Sequence, residues 1–219
     1  MPRSPRLQYP DALYHVTARG VQHAPIFIDD SDRSALLALI AQTLAQYDAR
    51  AFAYCLMGNH FHVVLQTRLP NLSALMKRIN AIYSQSFNRR HERIGHLLEG
   101  RFKAIHVDRD NYLLQACRYV DLNPVRAGMT QAPADWKWSS YRANVGIVSP
   151  PRWLATRELH EALTGVPQDS DAEADAACRL YASWVEAGRD ARLWSESLQH
   201  GLYLGDEAFV DRMVRTGAN

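Results

Sequence analysis

Two apolar runs, "AFAYCLM" and "HFHVVLQT", stand on either side of Gly58 and Asn59. Strand-forming runs separated by Gly-Asn read as a β-hairpin, because those residues accept the positive φ that tight hairpin turns require. A lone hairpin is marginal in water, so the flanking segments must supply further strands and helices to cover it. "DALYHVTARG" reads as a strand at about residues 12–19, and "SDRSALLALIAQTLAQYDA" as a helix that Ser31 or Asp32 can cap. "NLSALMKRINAIYSQSFNRR" is a second helix with Leu72, Leu75, Met76, Ile79, Ile82 and Tyr83 inward. A strand at about residues 102–108 and a helix over "RDNYLLQACRYVDLNP", capped by Asp110 and stopped by Pro124, complete the order β-α-β-β-α-β-α. The expected fold class is α+β, a ferredoxin-like antiparallel sheet flanked by helices. After a linker at "VGIVSPP", residues 152–219 read as short helices. The expected division is therefore a domain at 1–148 and a helical C-terminal appendage at 149–219.

A chain of 219 residues, 47% hydrophobic and 22% charged, can bury a substantial core. No apolar run suits a signal peptide or a membrane span, which points to the cytoplasm. Cys55, Cys117 and Cys178 form no CxxC pair, which argues against a disulfide framework or a structural zinc site, so they read as small core residues. Charge is uneven: residues 1–130 carry 16 Lys and Arg against 10 Asp and Glu, and residues 131–219 carry 9 against 13. A phosphate-bearing partner accounts for such a basic half, and so does an ordinary solvated surface.

In the strand that begins at His60, alternation puts Phe61, Val63 and Leu65 on one face and His60, His62, Val64 and Gln66 on the other. Two imidazoles on one face suit a shared metal ion, although hydrogen-bonded histidines near a strand end share the pattern. The late helix adds a polar stripe of Tyr112, Gln115, Tyr119 and Asn123 beside an apolar stripe of Leu113, Cys117 and Val120. Tyr119 and Asn123 are i, i+4 neighbours, so a phenol and an amide oxygen can project together.

"NHFHVVL" with "RYVDLNPVRAG", "LYHVTARG", "GHLLEGRFKA" and "DWKWSSY" resembles the REP-associated tyrosine transposases, Y1-type members of the HUH superfamily similar to the IS200/IS605 group. The resemblance runs from about Tyr14 to Tyr141 and leaves the tail outside. It implies Tyr119 as nucleophile and His60, His62 and Asn123 as ligands of Mg²⁺ or Mn²⁺. It also implies single-stranded DNA with hairpin (REP-like) structure as partner, and a monomer or homodimer as the working state. The implied reaction cleaves DNA to a covalent 5′-phosphotyrosine and a free 3′-hydroxyl.

That chemistry suits these residues. A free phenol ionises only at about pH 10 and needs a cation or base to attack. A two-imidazole, one-amide site adds no negative charge, so it should hold its ion weakly without the DNA phosphate, and nitrogen ligands favour Mn²⁺. No GxxxxGK[ST] phosphate loop is present, in keeping with a reaction that conserves bond energy without ATP. Arg19, Arg101, Lys103, Arg118 and Arg126 are the candidate phosphate contacts. Lys77, Arg78, Arg89 and Arg90 read as a solvated basic helix face that aids DNA capture, and His15 and Trp138 as packing or site support. Tyr83 and Tyr112 are the other candidate nucleophiles. Two rival functions stand: a non-catalytic nucleic-acid-binding sheet of RRM type, and a phosphodiesterase that uses water.

Overall fold

The computed structural model describes residues 8–190 and 198–217. Strand β1 (Ala12–Arg19), helix α1 (Asp30–Gln46), hairpin strands β2 (Ala49–Leu56) and β3 (His60–Thr67), helix α2 (Leu72–Arg90), strand β4 (Lys103–Val107) and helix α3 (Arg109–Asp121) follow in the expected order. The sheet runs β2-β3-β1-β4, with each neighbouring pair antiparallel, which is the ferredoxin-like arrangement.

Period-two alternation decides what each face covers. Phe61, Val63 and Leu65, with Tyr14, Val16 and Ala18 of β1, pack against α1 and α2. Leu13, Val64 and Val107 project from the opposite face and lie beneath Leu113, Cys117 and Val120 of α3. Each aliphatic side chain so buried contributes roughly 1.5–3 kcal/mol. A one-residue slip would exchange the two sets and carry both histidines to the wrong side. Cys55 and Cys117 are buried and all three cysteines are free thiols.

Several local expectations are corrected. Neither Gly58 nor Asn59 has a positive φ. The turn is closed by the Met57 N–H donating to the His60 carbonyl at 2.9 Å, and Gly20 and Ile26 donate to the Asn59 and Gly58 carbonyls from outside. Tertiary bonds thus hold the turn without left-handed backbone. The cap of α1 is Asp29, which accepts from the Ser31 and Asp32 amides. Asp32 serves as its capping-box partner and also binds Arg90 and His91 at the end of α2, so the exposed Arg90 also ties α2 to the start of α1. The cap position of α3 is Asp108, with Asp110 in the first turn. Pro124 does not end the helical path: it lies in the first turn of a further turn, α4 (Asn123–Arg126), where its missing N–H leaves no bond unmade.

Helix α5 (Tyr141–Asn144) closes the 1–148 segment, and the tail holds helices α6 (Thr156–Thr164), α7 (Asp171–Ala187) and α8 (Glu207–Gly217). It is not helical throughout. Strands β5 (Leu198–Gln199) and β6 (Tyr203–Leu204) extend the sheet, β6 pairing parallel to β4. Leu159, Tyr181 and Val185 share the core beneath α3, and the Ala155 amide donates to the Ala51 carbonyl at 2.7 Å.

Candidate active site

Directly paired residues of neighbouring strands project to one face. One such row holds Cys55, His62, Thr17 and Lys103, and in the row beyond it His60 faces Arg19. The His60 and His62 ring centroids are 4.9 Å apart, nearly perpendicular.

A hydrogen bond fixes the His60 tautomer. The His60 Nδ1 lies 2.7 Å from Asn59 Oδ1, a pure acceptor, so Nδ1 carries the proton and Nε2 the lone pair. The buried His62 Nδ1 lies 2.8 Å from His15 Nε2 and 3.1 Å from Thr17 Oγ1. Its Nε2 is buried and has no hydrogen-bond partner among the described residues. A buried polar atom left unmatched costs about 1–3 kcal/mol. A cation that takes the Nε2 lone pair removes that cost, so this orphan fits a metal ligand.

Burial pushes the His60 imidazole down to about 4, helped by Arg19 and His23. It holds His62 well below the ordinary value, with His15, His60 and Arg19 adding to the effect. Burial likewise brings His15 down to about 3. All three are neutral at physiological pH, the form in which imidazole binds metal.

Because Leu113, Cys117 and Val120 seat α3 on the sheet, its polar stripe hangs over the histidines. The Tyr119 ring centroid lies 5.9 Å from His15 and 6.3 Å from His62, edge-on to both. One turn later, Asn123 Nδ2 donates to the Tyr119 carbonyl at 3.0 Å, which leaves the amide oxygen on the other branch of the side chain. Arg126 sits over the Tyr119 ring at 5.0 Å, a cation placed to favour charge developing on the phenol oxygen. Among the described residues no three His, Cys, Asp or Glu side chains gather as a metal cluster. The residues that could hold one here are His60, His62 and Asn123.

The other candidates separate by position. Arg19 and Lys103 share the histidine face through their register partners. Arg101 lies on the far side, in a groove beside α2. Arg118 is turned to the tail, its guanidinium 4.2 Å from the Trp184 ring centroid. Arg126 also reaches the tail, donating to the Gly188 carbonyl at 3.2 Å. Tyr83 is buried against α1 and its hydroxyl donates to the Ile26 carbonyl, which removes it from the histidine face. Tyr112 packs at the edge of the α3 core.

His15, expected to pack or support the site, lies against His62 Nδ1. Two features escape a reading of the sequence. Thr17 also meets His62 Nδ1, and the available signal was its shared parity with Arg19 in β1. Asp121, two residues past Tyr119, is fully buried. It accepts from Ser140 Oγ at 2.7 Å and Tyr181 Oη at 2.8 Å, tying α3 to α5 and α7. Burial pushes its carboxyl up to about 7, against the pull of those two bonds.

No curated protein matches the chain. A solved REP-associated tyrosine transposase bound to a REP hairpin is similar in fold at a TM-score of 0.57 and 15% identity, covering 71% of this chain and 92% of that one. A tRNA(His) guanylyltransferase from Saccharomyces cerevisiae overlaps 95% of this chain and 96% of its own at 12% identity, with a TM-score of 0.36 that carries no argument. The model of the family described as IS200-like transposase matches residues 8–123, the stretch that holds both histidines, Tyr119 and Asn123. The chain belongs to the IS200-like transposase family.

Proposed function

We propose that this transposase is a metal-dependent single-strand DNA endonuclease and strand transferase that acts on hairpin-forming repeat DNA through a covalent 5′-phosphotyrosine at Tyr119. The observation that carries the reading is the meeting of the Tyr119 ring with His62, whose buried Nε2 has no hydrogen-bond partner among the described residues. The hairpin partner is supported by the similar protein solved on a REP hairpin.

His60 and His62 would hold Mg²⁺ or Mn²⁺ through Nε2, and Asn123 through its amide oxygen. Such an ion, when bound, draws charge from a non-bridging oxygen of the scissile phosphate. The chain's own residues do the rest. His15 and Thr17 hold the His62 ring in place, and α3 carries the phenol to the same face. Arg126 stabilises the developing phenolate. The Tyr119 oxygen forms a bond to phosphorus as the bond to the 3′ oxygen breaks, and that oxygen leaves as a 3′-hydroxyl. Attack by a 3′-hydroxyl on the phosphotyrosine reverses the step and joins strands. Arg19, Arg101, Lys103, Arg118 and Arg126 are the proposed phosphate contacts, Arg19 and Lys103 being the two that share the histidine face.

Incubation with a labelled single-stranded hairpin repeat and Mn²⁺ tests the proposal. An SDS-stable protein–DNA adduct is expected from the wild type and none from Tyr119→Phe. Binding without an adduct or cleavage would support the non-catalytic reading. Cleavage that survives in Tyr119→Phe would mean water is the nucleophile.

A further inference from the structure

The tyrosine and the amide proposed to complete its metal site do not share one helix. Tyr119 lies in α3, Asn123 opens α4, and the two helices meet at Leu122. Pro124 has no N–H to give to this joint, and the Asn123 side chain reaches back across it to the Tyr119 carbonyl. Asp121, the last residue of α3, fastens the joint to the rest of the protein by hydrogen bonds. Its Oδ1 accepts from Ser140 Oγ at 2.7 Å and its Oδ2 from Tyr181 Oη at 2.8 Å, and the Asn144 side chain is a further neutral partner. Ser140 caps α5 and Tyr181 lies in α7, so the carboxyl is held from two directions.

Ser140 carries the connection on to the histidines. Its amide donates to the Tyr54 carbonyl at 2.9 Å, and its Oγ accepts from the Tyr54 amide at 3.0 Å. Tyr54 is followed in β2 by Cys55, whose register partner is His62. A path of hydrogen bonds and strand pairing therefore runs from the residue two past Tyr119 to the strand that holds both imidazoles.

Space filling does not account for a carboxyl at this place. An acidic side chain is rarely fully buried unless a cation pairs with it, and the hydrogen-bonded partners of Asp121 are neutral. An apolar residue would fill the volume at less cost, and would lose the two directed bonds. Leu113, Cys117 and Val120 seat α3 on the sheet, but hydrophobic contact is non-directional and leaves the rotation of the helix end to other forces. In-line attack is sensitive to such rotation, since a displacement of about 1 Å can cost about 100-fold in rate.

We infer that Asp121 is a positioning residue: through Ser140 and Tyr181 it sets where the Tyr119 phenol and the Asn123 amide stand relative to His60 and His62. The inference rests on the proposed chemistry at Tyr119, and its test includes a readout that needs no chemistry. Two variants of the full-length chain are compared with wild type. Asp121→Ala combined with Tyr181→Phe removes the tie and orphans no hydroxyl, because Ser140 Oγ keeps the Tyr54 carbonyl at 3.3 Å. Asp121→Asn keeps both bonds, since its amide oxygen accepts from one hydroxyl and its amide N–H donates to the other.

Single-turnover cleavage of saturating hairpin DNA with Mn²⁺ should be about 100-fold slower in the double variant and within about threefold of wild type in Asp121→Asn. Hairpin affinity should stay at the wild-type level in both, because Asp121 and Tyr181 are fully buried. For the second readout, 3-fluorotyrosine is incorporated and the Tyr119 fluorine resonance is identified by its loss in Tyr119→Phe. That resonance should shift in the double variant and hold its place in Asp121→Asn. A role in core stability alone predicts a lower Tm with the resonance unshifted, a result that overturns the inference. A wild-type cleavage rate in the folded double variant overturns it as well. So does an equal loss of rate in Asp121→Asn, which would trace the effect to the carboxyl's charge. If the double variant does not fold, Tyr181→Phe alone must shift the resonance and slow cleavage, and an unmoved resonance there is equally fatal. Absence of cleavage by the wild type would overturn the DNA-processing reading instead, while the fluorine resonance still reports whether Asp121 places the phenol.

Discussion

The His15 Nε2 lies 2.8 Å from the His62 Nδ1, and the two rings stack 9° from parallel with centroids 5.0 Å apart. For His62 to offer its Nε2 lone pair, its Nδ1 must carry the proton, and His15 Nε2 is placed to accept it. Removal of such an outer partner typically weakens a metal site about 10–100-fold. His15→Ala should therefore lower Mn²⁺ affinity by about that factor, measured by the EPR signal of free Mn²⁺ with hairpin DNA present. Saturating Mn²⁺ should restore most of the cleavage rate, whereas His62→Ala should stay inactive at any concentration. Equal metal affinity in wild type and His15→Ala would remove the orienting role.

Proton competition gives a second prediction. An ordinary histidine, with a pKa of about 6.5, begins to lose a metal to protons below neutral pH. Burial here depresses His60 to about 4 and His62 further, so both ligands stay deprotonated as the pH falls through 6. Mn²⁺ affinity should be nearly constant from pH 8 to about 5.5 and fall only as the pH approaches 4. A tenfold loss between pH 7 and 6 would contradict the depressed values.

Much of this site was legible in the chain, for a physical reason. Alternation in β3 and helical spacing in α3 are local codes, and each side chain's face follows from counting by two or by three and four. His60, His62, Tyr119 and Asn123 are all placed by such counting. The partners that depend on register were hidden: His15 meets His62 only because β1 pairs with β3 as Thr17 to His62. Strands β5 and β6 were equally invisible, since two residues show no alternation and their pairing is set by the open edge of β4. The position of Arg118 beside Tyr119 is local, whereas nothing local reveals its contact with Trp184 sixty-six residues later.

Asp121 yields a stability prediction. Its folded pKa of about 7 lies above the unfolded value of about 3.9, so the native state binds the extra proton. Its contribution favours the fold most below pH 4 and is lost as pH rises through 7, at about 1.4 kcal/mol for each pH unit that separates the two pKa values, before relaxation is considered. The buried histidines act in the opposite sense, because their folded pKa values are lowered and their contribution is lost as pH falls. Comparison with Asp121→Asn isolates the carboxyl. Denaturant unfolding should show wild type losing stability relative to the variant between pH 4.5 and 7. A difference that is flat across that range would contradict the raised pKa.

The tail's hold on the tyrosine helix can be tested through Gly188. A methyl group there would collide with the Arg118 guanidinium and push it off Trp184. A partly desolvated cation–aromatic contact is worth about 1 kcal/mol. Gly188→Ala and Arg118→Ala should each lower Tm by roughly 2–4 °C. If Arg118 also neutralises a phosphate, Arg118→Ala should in addition reduce the salt dependence of hairpin binding by about one charge, whereas Gly188→Ala should not. Unchanged Tm in both variants would detach the tail from α3.

The central claim is that Tyr119 is the residue that takes the DNA. Digestion of the denatured adduct with nuclease and trypsin, followed by mass spectrometry, locates the modification. The expected product is a nucleotide joined by phosphate to Tyr119 in the peptide 119–126, formed only when Mg²⁺ or Mn²⁺ is present. A nucleotide on Tyr112 or Tyr83, or complete cleavage with every tyrosine unmodified, would contradict it.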